Sequence, residues 1–247
     1  KLVHWELQLE EAPDSAMNEL LRTQKEEANA AFSKFIRKHY ETWVQHPDAE
    51  DTPLLSPKVM RQTVLPKLKE GKRVVWVVLD NFRYDQWRTL AKALANDFDI
   101  EENLYYSILP TVTQYARNAL FSGLMPLDIK TQYPDLWVDE EEDEGKNLHE
   151  EELIRKQLER LRQLTPFSYH KLNDSSAAEQ ALASYSEWAK HPLNVIVINF
   201  IDMLSHARTE SKMVRELAAN EAAYRAITLS WFRHSAIREL FRRLAEG

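Results

Sequence analysis

The sequence has no cysteine and only four glycines among its 247 residues. Without cysteine there is no disulfide framework, no cysteine nucleophile and no thiolate metal site, so any metal must be held by oxygen and imidazole ligands. Glycine makes up roughly 7% of an average protein, and the four present here form neither a Walker phosphate loop nor a dinucleotide-binding fingerprint. These absences leave hydroxyl, carboxylate and imidazole groups as the candidate chemistry.

Long hydrophobic runs are also lacking. The longest, Val74–Leu79 and 195–201, are far shorter than the roughly 20 residues of a membrane span. We therefore expect no membrane insertion, no signal peptide and a cytoplasmic location. The chain begins without methionine and stops just after an apparent helix, so we also expect it to be a piece of a longer protein.

The acidic charge is concentrated in one segment. Acidic residues outnumber basic residues by 39 to 32, and nine of the acidic residues lie between positions 139 and 152. The remainder of the chain is therefore close to neutral. We interpret 139–144 as a solvated loop, because adjacent carboxylates repel each other and lack the ligand spacing of a calcium loop.

The N-terminal part has the pattern of one long amphipathic helix. Apolar residues recur at helical spacing from Met17 to Trp43, after a plausible N-cap at Asp14. Such a helix must pack on a neighbouring bundle, on the following domain or on a second copy of the chain. The polar, proline-containing segment 45–57 is the predicted linker. We therefore divide the chain into 1–46, the end of a helical bundle, and 58–247, a second domain.

Strand and helix patterns alternate in the second domain. The runs at Val74–Leu79 and 195–201 predict strands buried on both faces, as in a parallel sheet. Shorter strands are predicted at 104–109 and 167–172. Helices are predicted at 83–95, 114–122, 148–164, 177–190 and 220–245. The sequence thus predicts an α/β fold with a doubly wound, mostly parallel sheet.

Polar residues that could form a site follow the two strongest strands. Asp80 and Asp202 come directly after them, where ligands gather in open α/β sheets, although aspartate is also a common cap or turn residue there. His206 lies four residues after Asp202, so a helix would bring both to one face, where they could ligate one ion. Thr111 and Thr113 precede a predicted helix and could serve as caps or meet an anion at its N-terminus.

Three segments carry a family resemblance. Segments 78–87 (VLDNFRYDQW), 109–126 (LPTVTQYARNALFSGLMP) and 199–206 (NFIDMLSH) resemble the PglZ domain of the alkaline phosphatase superfamily. The resemblance is closest to PglZ-containing response regulators linked to type IX secretion. Segments 5–10 and 228–232 and the long N-terminal helix also resemble these proteins, so nearly the whole chain is covered.

The resemblance implies a site with two zinc ions and a threonine nucleophile. Asp80 would ligate one ion, and Asp202 with His206 would ligate the other. Thr113 stands ten residues before Gly123, which is the family spacing for the nucleophile, so Thr111 would be a structural neighbour.

Two further residues belong to the expected site, and three metal ligands of the superfamily are missing from it. Asn81 and Arg117 could contact the substrate phosphate, and a role on the helix face is an equal alternative for Arg117. The superfamily's later Asp–His pair and further histidine are not found in this sequence. We therefore expect the domain to be C-terminally incomplete, and the chain by itself to bind zinc weakly and to be inert.

The resemblance also implies a function. We expect a zinc-dependent phosphodiesterase of a two-component response regulator that hydrolyses nucleotide or oligonucleotide phosphodiesters. The alternative is a signalling module in which hydrolysis is secondary or lost, and a phosphomonoesterase or phosphomutase would share the same site. The expected partners are a sensor histidine kinase acting through an upstream receiver domain, transcription or secretion-system proteins, and a second copy of the chain.

Overall fold

The computed structural model describes residues 1–11, 14–138 and 147–247. In chain order the helices are α1 (Leu2–Glu11), α2 (Ser15–Gln45), α3 (Leu65–Lys69), α4 (Tyr84–Leu94), α5 (Thr113–Ser122), α6 (Pro126–Gln132), α7 (Glu150–Arg160), α8 (Ser175–Ala183), α9 (Tyr185–Trp188), α10 (Phe200–Glu210), α11 (Lys212–Leu217), α12 (Glu221–His234) and α13 (Ala236–Glu246). Short 3-10 turns lie at Ser56–Lys58 and Pro134–Leu136, and a π turn at Met60–Val64. The acidic loop predicted at 139–144 lies outside the described residues.

The chain forms two compact units. The first consists of Lys1–Thr52, Phe82–Glu101 and Ile201–Gly247, and the second of Pro53–Asn81 and Glu102–Phe200. None of the helices in the described ranges is both long and apolar enough to cross a membrane.

The second unit contains a parallel sheet. Its strands are β1 (Val74–Leu79), β2 (Phe167–Leu172) and β3 (Leu193–Ile198), in the order β1-β3-β2. The last residues of β1 and β2 both pair with the last residue of β3, so the three carboxyl ends share one edge of the sheet. Every residue of the central strand β3 is buried, as expected for a strand covered on both faces, whereas every residue of the edge strand β1 is only half-buried. The strand predicted at 195–201 ends at Ile198, so Asp202 lies inside α10 and not directly after the strand. The predicted α/β class with a parallel sheet is confirmed.

The strand predicted at 104–109 is wrong. Tyr106 forms a single parallel bridge with Leu55, and no regular strand runs through this described segment. Leu104 is 87% exposed and Tyr105 about half exposed, whereas Ile108 is fully buried, so the apolar residues of this segment do not share one covered face. A strand-like sequence forms a strand only where a neighbour pairs with it and covers it.

Helix α5 is held against the core at its C-terminal end. Phe121 is fully buried and meets the Trp76 ring edge-on, with 5.4 Å between ring centroids. Gly123 ends the helix in the left-handed conformation (φ 68°), and its N–H donates to the Ala119 carbonyl. A Cβ at Gly123 would collide with the Gln157 side chain of α7, so this glycine also permits close packing of the two helices.

The first unit begins with the predicted amphipathic helix. The Asp14 carboxylate accepts a hydrogen bond from the Met17 N–H at 2.9 Å, which confirms the predicted N-cap. Among the described side chains of α2 only Leu21 and Trp43 are buried, whereas Phe32 and other apolar residues of the stripe stay exposed. The packing of this stripe on a neighbouring bundle, on the following domain or on a second copy of the chain stays a prediction.

Two predicted helices are each split by a serine. The helix expected at 220–245 is broken at Ser235, whose extended backbone (φ −100°, ψ 163°) separates α12 from α13. The helix expected at 177–190 is likewise divided at Ser184 into α8 and α9. Serine can hydrogen-bond to nearby backbone groups, which favours such interruptions, and here the Ser184 hydroxyl donates to the Gln180 carbonyl.

A buried arginine connects three helices of the first unit. Arg225 of α12 is 3% exposed and binds Asp85 of α4 at 2.5 Å. It also forms an ion pair with Glu10 of α1 and lies 3.8 Å from Glu6 of the same helix. Burial lowers the pKa of the Arg225 guanidinium, and the charge of Glu6 opposes that effect. We call Arg225, Asp85, Glu6 and Glu10 the Arg225 cluster.

A histidine in β2 is expected to make stability depend on pH. The His170 ring lies 4.9 Å from the Trp188 ring, and its buried Nε2 has no hydrogen-bond partner within the described ranges. Burial, and then the charge of His191, lowers the pKa of His170. The folded chain therefore binds fewer protons than the unfolded chain once the pH falls below about 6.5, the usual histidine value. The folded chain therefore loses stability at His170 as the pH falls from about 6.5 to the lower pKa that His170 has in the folded chain.

We expect His170→Phe to reduce this acid-side loss of stability, because phenylalanine keeps the ring packing and takes up no proton. The measurement is the free energy of unfolding in urea at about pH 7.5 and pH 5. His4→Phe, at an exposed position, is the control. The same pH dependence in wild type and His170→Phe would contradict the expectation.

Candidate functional site

Asp80 lies at the carboxyl edge of the sheet, directly after β1. Its N–H donates to the Ile198 carbonyl at 3.0 Å, which extends the strand pairing by one residue, and the residue is 8% exposed. The carboxylate Oδ1 accepts a hydrogen bond from the Asn81 N–H at 3.1 Å. Asn81 has a positive φ of 54°, a conformation that asparagine tolerates better than most residues. The exposed Asn81 thus turns the chain and helps to fix the Asp80 carboxylate.

Arg117 of α5 meets Asp80 at this edge. The guanidinium NH1 donates to Asp80 Oδ2 at 2.7 Å and to Asn199 Oδ1 at 3.1 Å. Asn199 directly follows β3, as Asp80 follows β1. Arg117 is 5% exposed, so in this conformation its donors are turned to protein acceptors.

The other side of the Arg117 guanidinium is held by Glu150. Arg117 Nε donates to Glu150 Oε1 at 2.7 Å, and NH2 donates to Oε2 at 2.6 Å, which is a bidentate pair. Glu150 is the first residue of α7 and has no exposed surface. Its Oε2 also accepts from the Tyr169 hydroxyl at 2.6 Å and lies 3.4 Å from Lys171 Nζ. We call Asp80, Arg117, Glu150, Tyr169 and Lys171 the buried charge network.

The electrostatics of the network are balanced. Two cations, Arg117 and Lys171, face two carboxylates, Asp80 and Glu150. Burial by itself would lower the pKa of Arg117, but the charges of Glu150 and then Asp80 outweigh it and raise that pKa. Burial, followed by the charge of Glu150, raises the pKa of the Tyr169 phenol, which therefore remains a hydrogen-bond donor at neutral pH.

Thr113 is the first residue of α5 and is half-buried. It stands four residues before Arg117, so the two side chains lie on one face of the helix, one turn apart. Within the described ranges the Thr113 hydroxyl makes no hydrogen bond. Thr111 is exposed and lies before the helix begins. Thr113 thus lies one helical turn before Arg117, and the Arg117 guanidinium meets Asp80 at the carboxyl edge of the sheet.

Asp202 and His206 belong to the first unit, on α10. His206 Nε2 lies 3.6 Å from Asp202 Oδ2, and the two side chains are 70% and 25% exposed. The Tyr224 hydroxyl donates to the Ile201 carbonyl at 3.2 Å and anchors the first turn of this helix. Two ligands of one tetrahedral zinc ion stand about 3.3 Å apart when the bonds are about 2.0–2.1 Å long. The predicted pairing of Asp202 with His206 on one helix face is thus present.

The donor types fit a metal, but the set is sparse. Carboxylate oxygen and imidazole nitrogen are ligands that zinc takes. The described ranges contain no group of three or more histidine, aspartate or glutamate residues that could hold an ion. Asp80 has spare capacity, since a carboxylate has about four lone-pair sites and its two oxygens receive one hydrogen bond each from Asn81 and Arg117.

Several residues of this arrangement were not predicted from the sequence. Glu150, Tyr169 and Lys171 carried no motif, and Asn199 lies in the family-like segment 199–206 but was assigned no role. A signal existed for Glu150, because helical spacing from the buried Ile154 and Leu158 places it on the same face. It stands at the end of the acidic run, however, where a solvent-exposed position is the natural expectation.

Comparison with known protein families agrees with this fold. The model of the BREX system PglZ alkaline phosphatase-like domain matches residues 59–246, which is more than half of the chain, and the protein therefore belongs to this family. Residues 1–44 match the linker domain of the PorX response regulator. No curated protein matches the chain. The resemblance found in the three sequence segments is thus confirmed, and in this chain a segment similar to a response-regulator linker precedes the alkaline phosphatase-like domain.

Proposed function

We propose that this protein is a zinc-dependent phosphodiesterase with Thr113 as its nucleophile, acting on nucleotide or oligonucleotide phosphodiesters. The observation that carries the proposal is the position of Thr113 at the N-terminus of α5, one turn from the arginine that binds Asp80. In open α/β sheets ligands bind at this carboxyl edge, which supports a substrate site near Asp80.

Each of these residues has a separate role in the proposed reaction. The Thr113 hydroxyl would give up its proton to solvent, its oxygen would form a bond to phosphorus as the bond to the leaving oxygen breaks, and the leaving oxygen would take up a proton from solvent. Water would then hydrolyse the phospho-threonine and restore the hydroxyl. The N-terminus of α5 favours the negative charge that builds up on the phosphoryl oxygens. Asp80 would hold one zinc ion, and Asp202 with His206 would hold the other. When bound, the ions supply the positive charge that favours the alkoxide and the leaving oxygen.

A second role is supported by the Arg225 cluster. Glu6 and Glu10 lie in the segment that matches the response-regulator linker, whereas Arg225 and Asp85 lie in the PglZ segment. Ion pairs between them tie the two segments together. We propose that the domain also relays the state of an upstream receiver domain, phosphorylated by a sensor histidine kinase, to transcription or secretion-system partners.

The test of the enzymatic role is removal and return of metal in the intact protein. We expect a chelator to abolish hydrolysis of bis(p-nitrophenyl) phosphate, and added zinc to restore it with about two ions bound per chain by elemental analysis. Asp80→Asn should lower both turnover and zinc content. Glu70→Gln, at an exposed ion pair with Lys72, is the matched control.

Hydrolysis that persists in a metal-free preparation would refute the zinc-dependent mechanism. A preference for p-nitrophenyl phosphate would identify a monoesterase instead. Tight zinc binding without any hydrolysis would favour the relay role alone.

A further inference from the structure

We propose that Glu150 and Arg117 are positioning residues that fix the Asp80 carboxylate for a metal ion, with Glu150 acting through the Arg117 guanidinium. The inference rests on the proposed function, in which Asp80 is a metal ligand. It assigns to Arg117 a role different from direct phosphate binding, and it gives Glu150 a role that no sequence motif indicates.

The geometry of the guanidinium carries the first step. The group is planar, and Glu150 binds two of its nitrogens, Nε and NH2, at 2.7 and 2.6 Å. With two nitrogens fixed in one plane, the direction of the third is fixed as well. NH1 donates to Asp80 Oδ2 at 2.7 Å. The position of Glu150 therefore fixes the position of the NH1 group that binds the Asp80 carboxylate.

Glu150 is itself immobilised. The Tyr169 hydroxyl binds its Oε2 at 2.6 Å, and Lys171 Nζ stands 3.4 Å from the same oxygen. Lys171 also donates to the Asn147 carbonyl at 2.8 Å. As the first residue of α7, Glu150 is further favoured by the positive end of that helix. The Glu150 carboxylate is thus held by Arg117, Tyr169 and Lys171 and by the N-terminus of its own helix. Such a fixed carboxylate is suited to orienting the Arg117 guanidinium.

Stability alone does not account for such a network. A buried ion pair is weak evidence for stability, because well-packed apolar residues of similar volume often do as well or better. This network ends on the carboxylate at the carboxyl edge of the sheet, and that carboxylate retains lone pairs for a ligand. Hydrogen-bond partners of metal ligands orient the ligands, and their loss typically costs 10–100-fold in metal affinity.

The charge balance predicts the direction of the effect. Glu150→Gln leaves Arg117 and Lys171 as two cations beside one carboxylate and turns an amide N–H₂ toward guanidinium donors. The guanidinium then loses its bidentate partner and its fixed orientation. Both changes oppose the binding of a cation at Asp80.

The experiment measures zinc dissociation constants of the intact protein by competition with a chelating dye. Asp80→Asn should remove the binding of one zinc ion, and His206→Gln should remove the binding of the other. We expect Glu150→Gln to weaken the binding of the first ion by about 10–100-fold and to leave the binding of the second unchanged. Arg117→Lys keeps the charge but loses the planar fork, so it should weaken the same step, and the double variant should be no worse than the more severe single variant. Glu70→Gln is the control, and thermal unfolding verifies that each variant is folded.

Tyr169→Phe provides a milder test, since it removes one hydroxyl donor to Glu150 and leaves all charges in place. It should weaken the same zinc step by a smaller factor than Glu150→Gln. Wild-type zinc affinity in folded Glu150→Gln and Tyr169→Phe would overturn the positioning role while leaving a hydrolytic wild type intact. A wild-type protein that binds no zinc would overturn both this inference and the zinc-dependent function.

Discussion

Replacing Thr113 by alanine is expected to abolish phosphodiester hydrolysis by the intact protein while zinc stays bound. Removal of a nucleophile deletes the step on which the reaction depends, so turnover should fall by about three orders of magnitude or more. The zinc ligands are untouched, and position 113 is a half-buried helix start where alanine fits. The measurement is turnover of a chromogenic phosphodiester alongside zinc content by elemental analysis.

Thr111→Ala is the matched control, because it removes the same hydroxyl two residues earlier at an exposed position. Thr111→Ala should lower turnover much less than Thr113→Ala does. Thr113→Ser replaces the secondary hydroxyl by a primary one at the same position and should retain part of the activity. Equal turnover of Thr113→Ala and wild type would show that the nucleophile is another group.

Replacing Arg225 by methionine should destabilise the first unit by about 3 kcal/mol, toward the lower end for a broken buried ion pair. The arginine is buried and serves Asp85 and Glu10 together, so its loss leaves buried negative charge with fewer partners. Asp85 retains the hydrogen bonds from Arg83 Nε and NH2 at 3.0 and 2.8 Å, and Glu6 retains Lys25 at 2.9 Å. These remaining contacts hold the cost at the lower end.

The free energy of unfolding in urea measures this effect, and hydrogen exchange of α1 shows whether the linker segment loosens. Arg242→Met is the control, since Arg242 makes only solvent-exposed ion pairs within α13, and exposed pairs contribute little to stability. Equal losses for the two variants would mean that the Arg225 cluster contributes no more than a surface pair.

Patterns local in the sequence were sufficient to predict strand β1, the Asp202–His206 pair and the family. The continuous apolar run at Val74–Leu79 predicts its strand with the observed bounds, because such a run suits a strand packed in a sheet. The pairing of Asp202 with His206 follows from helical spacing alone. The family follows from contiguous segments, which need no tertiary information.

Burial and long-range partners were decided only by the tertiary structure. The segment 104–109 has an apolar pattern like that of the strands, but among the described residues it forms a single bridge, between Tyr106 and Leu55. Glu150 lies within the acidic segment 139–152 and nevertheless has no exposed surface, because Arg117 approaches it from 33 positions away in the sequence. A charged side chain is buried only where a partner from elsewhere in the chain compensates for its desolvation. Spacing along the sequence carries no record of that partner, so the network around Asp80 becomes visible only once the sheet and its helices are assembled.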